Sequence, residues 1–257
     1  MELGLTGRCA VVCASTGGLG EAIARALAAE GASVVVSGRR GDRAREIAAE
    51  LPKAVGVGVD LTSENGAAEL VAAARNTFGE VDVLVLNGPG PKPGPAATVD
   101  DEGLDSAVET LLRSQLRLLG LTLPGMRSRG WGRVLAVGSS GVDAPLPNLA
   151  LSNLGRAALA GYLKTLAAEV AADGVTVNML LPGRIATERV AFLDDVAATR
   201  AGTSVDDVAA KSRAAIPAGR YGEPAEFGAV AAFLCGEPAS YLTGTTLRVD
   251  GGLVRSL

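Results

Sequence analysis

The sequence predicts an α/β fold in which a parallel sheet of about seven strands is covered by helices on both faces. Short runs rich in valine and leucine alternate with longer stretches in which apolar residues recur every three or four positions. Several of the short runs are almost wholly apolar, as expected for strands that are covered on both faces. The 257 residues are 48% hydrophobic, which is enough for a substantial core.

The elements follow one another in a regular order. Strands are expected near residues 8–14, 32–37, 55–59, 81–86, 132–138, 175–181 and 245–249. Helices are expected over residues 18–30, 41–51, 63–78, 100–128, 148–173 and 223–236. This order predicts a single domain over residues 1–257, with a doubly wound sheet of the Rossmann type. The segment 184–221 has helical spacing without a strand of its own, and we expect it to form a substrate lid.

Composition and charge exclude several classes of function. A net charge of −4 without any basic run gives no reason to expect a nucleic-acid partner. The chain contains no histidine, which excludes a Ser-His-Asp hydrolase, and no metal site is predicted. No signal peptide is evident and no apolar run approaches the roughly 20 residues of a membrane span. The three cysteines are odd in number and form no C-x-x-C pair, and we expect a cytoplasmic protein without a membrane partner.

A glycine-rich turn follows the first predicted strand and reads Cys13-Ala14-Ser15-Thr16-Gly17-Gly18-Leu19-Gly20. Glycines between a strand and a helix let the backbone approach a diphosphate, which the helix N-terminus then stabilises. The turn therefore predicts a dinucleotide site that includes Ser15, Thr16, Gly18, Leu19 and Gly20. The alternative is a glycine-rich turn that binds nothing.

The end of the second strand indicates which dinucleotide is bound. An acidic residue there would accept a hydrogen bond from the ribose 2′-hydroxyl of NAD, but this chain has Gly38 followed by Arg39 and Arg40. The planar fork of arginine suits a 2′-phosphate, so the sequence favours NADP(H) over NAD(H). The alternative is that the two arginines only begin a solvated helix.

Motifs along the whole chain resemble the short-chain dehydrogenase/reductase family. Gly18 and Gly20 match its T-G-x-x-x-G-x-G motif, with Cys13 and Ala14 in place of the first two residues. Three further stretches resemble the family's adenine-binding, L-V-N-N-A and P-G-x-I-x-T segments, of which the last contacts the nicotinamide. The cofactor residues implied by this resemblance are Asp60, Leu61, Asn87, Gly88, Pro182, Gly183, Ile185 and Thr187.

The catalytic positions depart from the family pattern of Ser, Tyr, Lys and Asn. Ser139 matches the serine, with Ser140 beside it, but the tyrosine and lysine positions hold Ser152 and Arg156. The asparagine position holds Leu111. A serine hydroxyl is far less acidic than a phenol, whose pKa is about 10. An arginine with a pKa above about 12 is not expected to move a proton, although Arg156 could bind the nicotinamide ribose. Ser139, Ser152 and Arg156 are the catalytic candidates.

Three tyrosines are other possible proton donors. Tyr162 is on the same predicted helix as Ser152, but ten residues correspond to about 15 Å along the axis and about 80° around it. We expect Tyr162 to pack against a neighbouring helix instead. Tyr221 and Tyr241 lie in other segments, and the sequence alone does not place them at the nicotinamide.

The altered positions occur together with unusual loops at 87–95 and 145–156, and the combination resembles an atypical β-ketoacyl-acyl-carrier-protein reductase-like subgroup. The resemblance implies NADP(H)-dependent reduction of a ketone or β-ketoacyl carbonyl, on a small substrate such as a thioester, by a homotetramer or homodimer. The missing tyrosine and lysine support a second hypothesis, a non-redox protein on the same fold. It would be a lyase, isomerase or dehydratase of a biosynthetic pathway, or a nucleotide-sensing binding protein.

Basic residues in and near the lid segment form no recognisable pattern. They are expected to lie on a solvated face rather than to attract a phosphopantetheine group or a carrier protein. These residues are Lys92, Arg184, Arg189, Lys211 and Arg213.

Overall fold

The computed structural model of the protein, which describes residues 1–256, confirms the predicted parallel sheet. The seven strands are β1 (Cys9–Val12), β2 (Ser33–Gly38), β3 (Ala54–Gly58), β4 (Val83–Leu86), β5 (Gly132–Val137), β6 (Val175–Pro182) and β7 (Thr246–Val249). Their order is β3-β2-β1-β4-β5-β6-β7, and every neighbouring pair is parallel. The order reverses between β1 and β4, where open sheets of this kind form a crevice for ligands.

Nine α-helices are formed by residues 1–256. They are α1 (Gly18–Ala29), α2 (Gly41–Ala49), α3 (Gly66–Phe78), α4 (Asp101–Val108), α5 (Ser114–Ser128), α6 (Ala150–Val170), α7 (Glu188–Ala201), α8 (Val205–Ala215) and α9 (Pro224–Cys235). Helices α3, α5 and α6 pack on one face of the sheet, and α1, α2 and α9 pack on the other. In β1, Val11 belongs to the first core and Ala10 and Val12 to the second, because successive side chains of a strand point to opposite faces.

The predicted helix 100–128 is interrupted by a π turn over Glu109–Arg113, which separates α4 from α5. The carbonyl of Thr110 in this turn accepts hydrogen bonds from the Ser114 hydroxyl, at 2.9 Å, and from Gln115 Nε2, at 3.3 Å. Single π turns within helices occur frequently at functional sites. Here the turn lies where the family has its catalytic asparagine.

The segment 184–221 contains α7 and α8 and contributes no strand to the sheet. Its two ends are joined by a bridge between Ile185 and Gly222. Inside it, the buried carboxylate of Asp194 accepts hydrogen bonds from Arg184, at 2.5 Å, and from the Tyr221 hydroxyl, at 2.8 Å. The helical character agrees with the sequence, and the role of the segment as a lid stays a prediction.

The three cysteines are buried and free, and burial raises the pKa of each thiol to about 12. None of the helices within residues 1–256 is long and apolar enough to cross a membrane.

Candidate functional site

A cleft of about 1190 Å³ lies at the carboxyl ends of the central strands. It is lined by the three catalytic candidates, Ser139, Ser152 and Arg156, and by all the predicted cofactor residues except Ser15. The lining cofactor residues are Thr16, Gly18, Leu19, Gly20, Arg39, Arg40, Asp60, Leu61, Asn87, Gly88, Arg156, Pro182, Gly183, Ile185 and Thr187. Segments that are far apart in the sequence therefore meet in one place.

Ser15 corrects the sequence-based prediction, because it does not line the cleft. Its hydroxyl donates to the Val12 carbonyl at 2.7 Å and accepts from the Ser37 N–H at 2.9 Å. Its own backbone N–H donates to the Ser37 carbonyl at 2.8 Å. With these groups used inside the protein, Ser15 attaches the glycine-rich turn to β2 and is not available to a ligand.

The glycine-rich turn has the backbone that a diphosphate site needs. Ala14 adopts a left-handed conformation with φ 46°, at the position where the family has its first glycine. A Cβ atom on Gly20 would lie 2.4 Å from the Ala14 carbonyl oxygen, so only glycine allows α1 to approach the turn this closely. Gly17 offers no side-chain cap to α1. The first N–H groups of α1 therefore remain open to a phosphate group in the cleft.

The cations after β2 are oriented toward this turn. Arg40 donates to the Thr16 carbonyl at 2.7 Å, which holds its guanidinium over the glycine-rich turn. Arg39 and Arg40 are exposed, and neither forms an ion pair with any residue from 1 to 256. Arg40 directly precedes α2, but it does more than begin a solvated helix. The cleft thus has two unpaired guanidinium groups near the end of β2, as a 2′-phosphate requires.

Asp60, the predicted adenine-binding residue, follows β3 and lines the cleft. Its carboxylate accepts hydrogen bonds from the backbone N–H and the hydroxyl of Thr62, at 3.0 and 2.7 Å. These two bonds lower the pKa of Asp60. The carboxylate is therefore ionised and fixed in orientation at neutral pH.

The catalytic candidates lie together at the end of β5 and the start of α6. The Ser139 hydroxyl accepts a hydrogen bond from the Gly141 N–H at 3.1 Å, and neighbouring Ser140 is buried. Ser152 is 9% exposed in the first turn of α6, and Arg156 follows one turn later. Arg156 donates to the carbonyl of Val137, the last residue of β5, so its guanidinium is tied to the strand that leads to Ser139.

The environment of Arg156 lowers its pKa below the value of about 12 that the sequence predicts. Burial, with a contribution from the positive charge of Arg189, lowers the pKa of Arg156 to about 10. The value is below the expected range for arginine, because a half-buried cation loses hydration. Arg156 nevertheless carries its charge at neutral pH.

None of the three tyrosines lines the cleft. Tyr162 is 40% exposed on α6, outside the cleft, and its packing against a neighbouring helix stays a prediction. Tyr241 is 98% exposed, and the Tyr221 hydroxyl is bonded to Asp194. The catalytic candidates therefore offer serine hydroxyls, and no phenol, to a ligand.

Arg189 and Gln115 are among the polar residues of the cleft that were not predicted as site residues. Arg189, expected on a solvated face, is half-buried in the cleft lining and donates to the Pro91 carbonyl at 2.8 Å. Gln115 is 3% exposed, also lines the cleft, and its Oε1 atom has no hydrogen-bond partner within residues 1–256. The sequence carried a signal for Gln115, since it interrupts an apolar stretch of a helix. It carried none for Arg189.

The two unusual loops contact each other. Gly94 and Leu149 form a bridge in which the Gly94 N–H donates to the Asn148 carbonyl at 2.7 Å. The Gly94 carbonyl in turn accepts from the Ala150 N–H at 3.3 Å. Asn148 adopts a left-handed conformation with φ 58° to make this possible. The sequence changes in the two loops therefore form one structural unit beside the cleft.

Comparison with known proteins identifies the family. The family model described as enoyl-(acyl carrier protein) reductase matches residues 13–254. The chain belongs to the short-chain dehydrogenase/reductase family. It is 33% identical over 253 residues to the 3-oxoacyl-[acyl-carrier-protein] reductase of Haemophilus influenzae, covering 98% of this chain and 100% of the relative. It is 36% identical to dehydrogenase/reductase SDR family member 4 of Sus scrofa, covering 98% of this chain and 89% of the relative.

Solved structures of this family have the same fold. The L-sorbose reductase of Gluconobacter frateurii, complexed with NADPH and L-sorbose, matches with a TM-score of 0.94 and 32% identity over 100% of both chains. A phenylalanine-to-tryptophan variant of actinorhodin polyketide ketoreductase with NADPH matches with a TM-score of 0.92 and 32% identity. This match covers 97% of this chain and 98% of the ketoreductase. Oxidoreductases related to this chain over its whole length therefore share its architecture.

Proposed function

We propose that the protein is an NADP(H)-dependent reductase of a ketone or β-ketoacyl-type carbonyl. One observation carries the proposal: the same cleft is lined by the glycine-rich turn, by the unpaired Arg39 and Arg40, and by Ser139, Ser152 and Arg156. The relatives support it, since two of the solved structures contain NADPH and are named as reductases.

The residues of the cleft fit the proposed cofactor. The open N–H groups of α1 would bind its diphosphate, and Arg39 and Arg40 would bind its 2′-phosphate. Asp60 and Leu61 would hold the adenine, and Asn87, Gly88, Pro182, Gly183, Ile185 and Thr187 would contact the nicotinamide half. NADPH supplies the hydride when it is bound.

The chain's own residues would then position and polarise the carbonyl. The Ser139 and Ser152 hydroxyls donate hydrogen bonds to its oxygen, and the Arg156 cation stabilises the negative charge that develops there. Without a phenol at this place, the proton comes from water that enters the cleft. Loss of a general acid costs about 10² to 10⁴ in rate, so the proposal implies slow turnover.

The test follows the absorbance of NADPH with L-sorbose, simple ketones and a 3-oxoacyl thioester as substrates. Oxidation is expected with at least one of them, and Ser152→Ala should lower kcat by about 10²-fold. Ser128→Ala, an exposed serine at the end of α5, is the matched control. The double variant Ser152→Tyr with Arg156→Lys should reduce ketones faster, because it restores a phenol next to a lysine.

The lack of a tyrosine in the cleft favours a second candidate, a non-redox lyase, isomerase or dehydratase, or a nucleotide-sensing protein. Tight NADPH binding with no oxidation by any substrate of the panel, in both the wild type and the double variant, would support it. Oxidation by the wild type would exclude it.

We also propose that the protein is a homotetramer or homodimer that associates through α6 and β7. Leu154 and Tyr162 on α6 are 46% and 40% exposed, and Leu247 on the edge strand β7 is 39% exposed. Exposed apolar side chains of this kind mark contact surfaces when they are grouped. Light scattering after size-exclusion chromatography should give a multiple of the 25.8 kDa chain mass, and a monomer mass would contradict the proposal.

A further inference from the structure

Besides Arg39 and Arg40, two further arginines of the cleft have no carboxylate partner within residues 1–256. Arg156 and Arg189 are both half-buried, and no ion pair involves either of them anywhere in the described chain, residues 1–256. A cation that is partly removed from water without a counter-ion is unfavourable, and two such cations near each other are more so. An arrangement of this kind is stabilised when an anion binds.

Each guanidinium is held in place and keeps free donors. Arg156 donates one hydrogen bond to the Val137 carbonyl, and Arg189 donates one to the Pro91 carbonyl. A guanidinium has five N–H donors, so both groups retain a fork for a ligand. The carbonyl contacts orient the arginines without neutralising them.

The acidic side chains of the cleft do not neutralise this pair. Glu109 is engaged by Arg113 and Arg117. Glu188 is exposed and forms no ion pair within residues 1–256, although it precedes Arg189 in the chain. Asp60 lies at the opposite, adenine end and is bonded to Thr62. The positive charge therefore remains available.

Gln115 independently indicates a polar ligand in the same cleft. Its side chain is 3% exposed, and while Nε2 is bonded to Thr110, Oε1 is buried without a partner in the described residues. A buried acceptor without a donor costs free energy unless a ligand or water supplies one. The donor is a hydroxyl group or a water molecule, since a carboxylate has only acceptors, so Gln115 indicates a polar ligand in the cleft and not the anionic group itself.

The position of Arg189 separates it from the proposed diphosphate site. Thr187, two residues earlier, lies beside Gly18 of the glycine-rich turn. Its Cγ2 atom is 3.6 Å from the point that a Cβ atom on Gly18 would occupy. Arg189 instead lies against Gly90, with its Nη2 atom 3.0 Å from the corresponding position, and against Pro91. Its guanidinium is thus directed to the loop that follows Asn87, on the substrate side.

We propose that Arg156 and Arg189 bind an anionic group of the substrate, a carboxylate or a phosphate, beside the carbonyl that is reduced. The inference rests on the proposed function for the reaction itself, but the binding of the anion does not depend on hydride transfer. The substrate class is accordingly a keto acid or a keto phosphate rather than a neutral ketone.

The test measures binding and turnover separately. Calorimetry on the NADP⁺-loaded protein uses pyruvate, acetoacetate and levulinate, each beside its methyl ester, and dihydroxyacetone phosphate beside dihydroxyacetone. At least one anion should bind about tenfold or more tightly than its neutral partner. Arg189→Gln should weaken the binding of that anion by about 10- to 100-fold. In the same variant, the affinities for the neutral partner and for NADPH should change by less than about twofold. This is less than the loss of one charge-assisted hydrogen bond would cause.

Two further variants complete the design. Arg200→Gln, an exposed arginine on the same helix, should leave all affinities unchanged. Arg189→Lys keeps the charge without the planar fork and should retain part of the preference for the anion. This variant also provides a test if Arg189→Gln does not fold.

The outcomes distinguish the two proposals. If Arg189→Gln weakened the binding of the anion and of its neutral partner equally, or weakened the binding of NADPH to the same extent, the anion site would be overturned. So would binding of none of the anions. Tight, Arg189-dependent binding of an anion without NADPH oxidation would instead leave the anion site standing and overturn the reductase. Oxidation of NADPH by a ketone, with no anion bound more tightly than its neutral partner, would do the reverse.

Discussion

Leu111 packs against Gly155 so closely that a Cβ atom on Gly155 would lie 2.7 Å from Leu111 Cδ1. The contact joins the π turn to α6 at the residue directly before Arg156. The apolar side chain at the family's asparagine position therefore has a structural role. It sets how closely α6, with Ser152 and Arg156, approaches the cleft.

Replacement of Gly155 with alanine should destabilise the protein by about 1–3 kcal/mol, because the added methyl group overpacks the contact with Leu111. The free energy of unfolding in urea measures the effect. Gly161→Ala on the same helix is the control: nothing lies within 4 Å of its added Cβ, and a gain of about 0.5–1 kcal/mol is expected. Equal effects of the two changes would contradict the close contact.

Ala14→Gly should stabilise the protein by about 0.5–1 kcal/mol, because glycine removes the left-handed strain but adds freedom to the unfolded chain. The control is Ala72→Gly in the exposed face of α3, which should destabilise by about 1 kcal/mol. Thermal unfolding of both variants measures the sign of each change in stability. A loss of stability in Ala14→Gly would show that the φ of Ala14 is not strained.

The double change Arg39→Gln with Arg40→Gln should weaken NADPH binding by about 10- to 100-fold and leave NADH binding nearly unchanged. The reason is that only NADPH carries the 2′-phosphate that these cations would bind. Fluorescence titration with both cofactors is the measurement. Arg45→Gln, an exposed arginine paired with Asp42, is the control on α2. Equal losses for the two cofactors would rule out selection through the 2′-phosphate.

Asp194→Asn should loosen the segment 184–221, since it leaves the guanidinium of Arg184 without its buried partner. Limited proteolysis should cut faster within this segment than in the wild type, at sites that mass spectrometry identifies. The neighbouring Asp195 is exposed, and Asp195→Asn should not change the rate. Cleavage at the same rate in both variants would speak against the Asp194 contacts as the anchor of the segment 184–221.

The pair formed by Arg220 and Glu226 predicts a dependence of stability on acid. Two hydrogen bonds from Arg220, at 2.8 and 2.7 Å, and one from the Glu223 N–H lower the pKa of Glu226 to about 2. A carboxyl group with a depressed pKa contributes stability above its unfolded pKa of about 4.5, and the contribution is lost as the pH falls toward 2. Glu226→Gln should therefore be less stable than the wild type at pH 6, and the difference should shrink below pH 4.5.

Chemical unfolding at several pH values measures this difference. The control Glu64→Gln, at an exposed position without an ion pair in residues 1–256, should change stability by less than about 0.5 kcal/mol. A gap between the wild type and Glu226→Gln that does not vary with pH would contradict the prediction.

The fold could be predicted because its determinants are local and repeated. The alternation of strands and helices depends on side-chain periodicity, and the glycine-rich turn depends on residues next to one another in the chain. The π turn at Glu109–Arg113 could not be predicted, because one extra residue in a helical turn leaves the spacing of apolar residues nearly unchanged.

The site was predicted less completely, for a similar reason. Ser15 stands within a recognisable motif, but its hydrogen bonds to Ser37 come from a strand pairing that the motif does not specify. Arg189 is drawn into the cleft by the carbonyl of Pro91, which is 98 residues away in the sequence. Contacts between distant segments decide which of several basic side chains faces the cleft.

The bridge between Gly94 and Leu149 consists only of backbone groups. Side-chain changes that leave the backbone conformation and its N–H groups intact do not remove it, so the rim of the cleft can keep its shape while the residues that line it change. Evolution can therefore exchange the chemistry of this site without rebuilding its entrance. Ser152 and Arg156, at the positions where the family resemblance predicts a tyrosine and a lysine, would be an exchange of this kind.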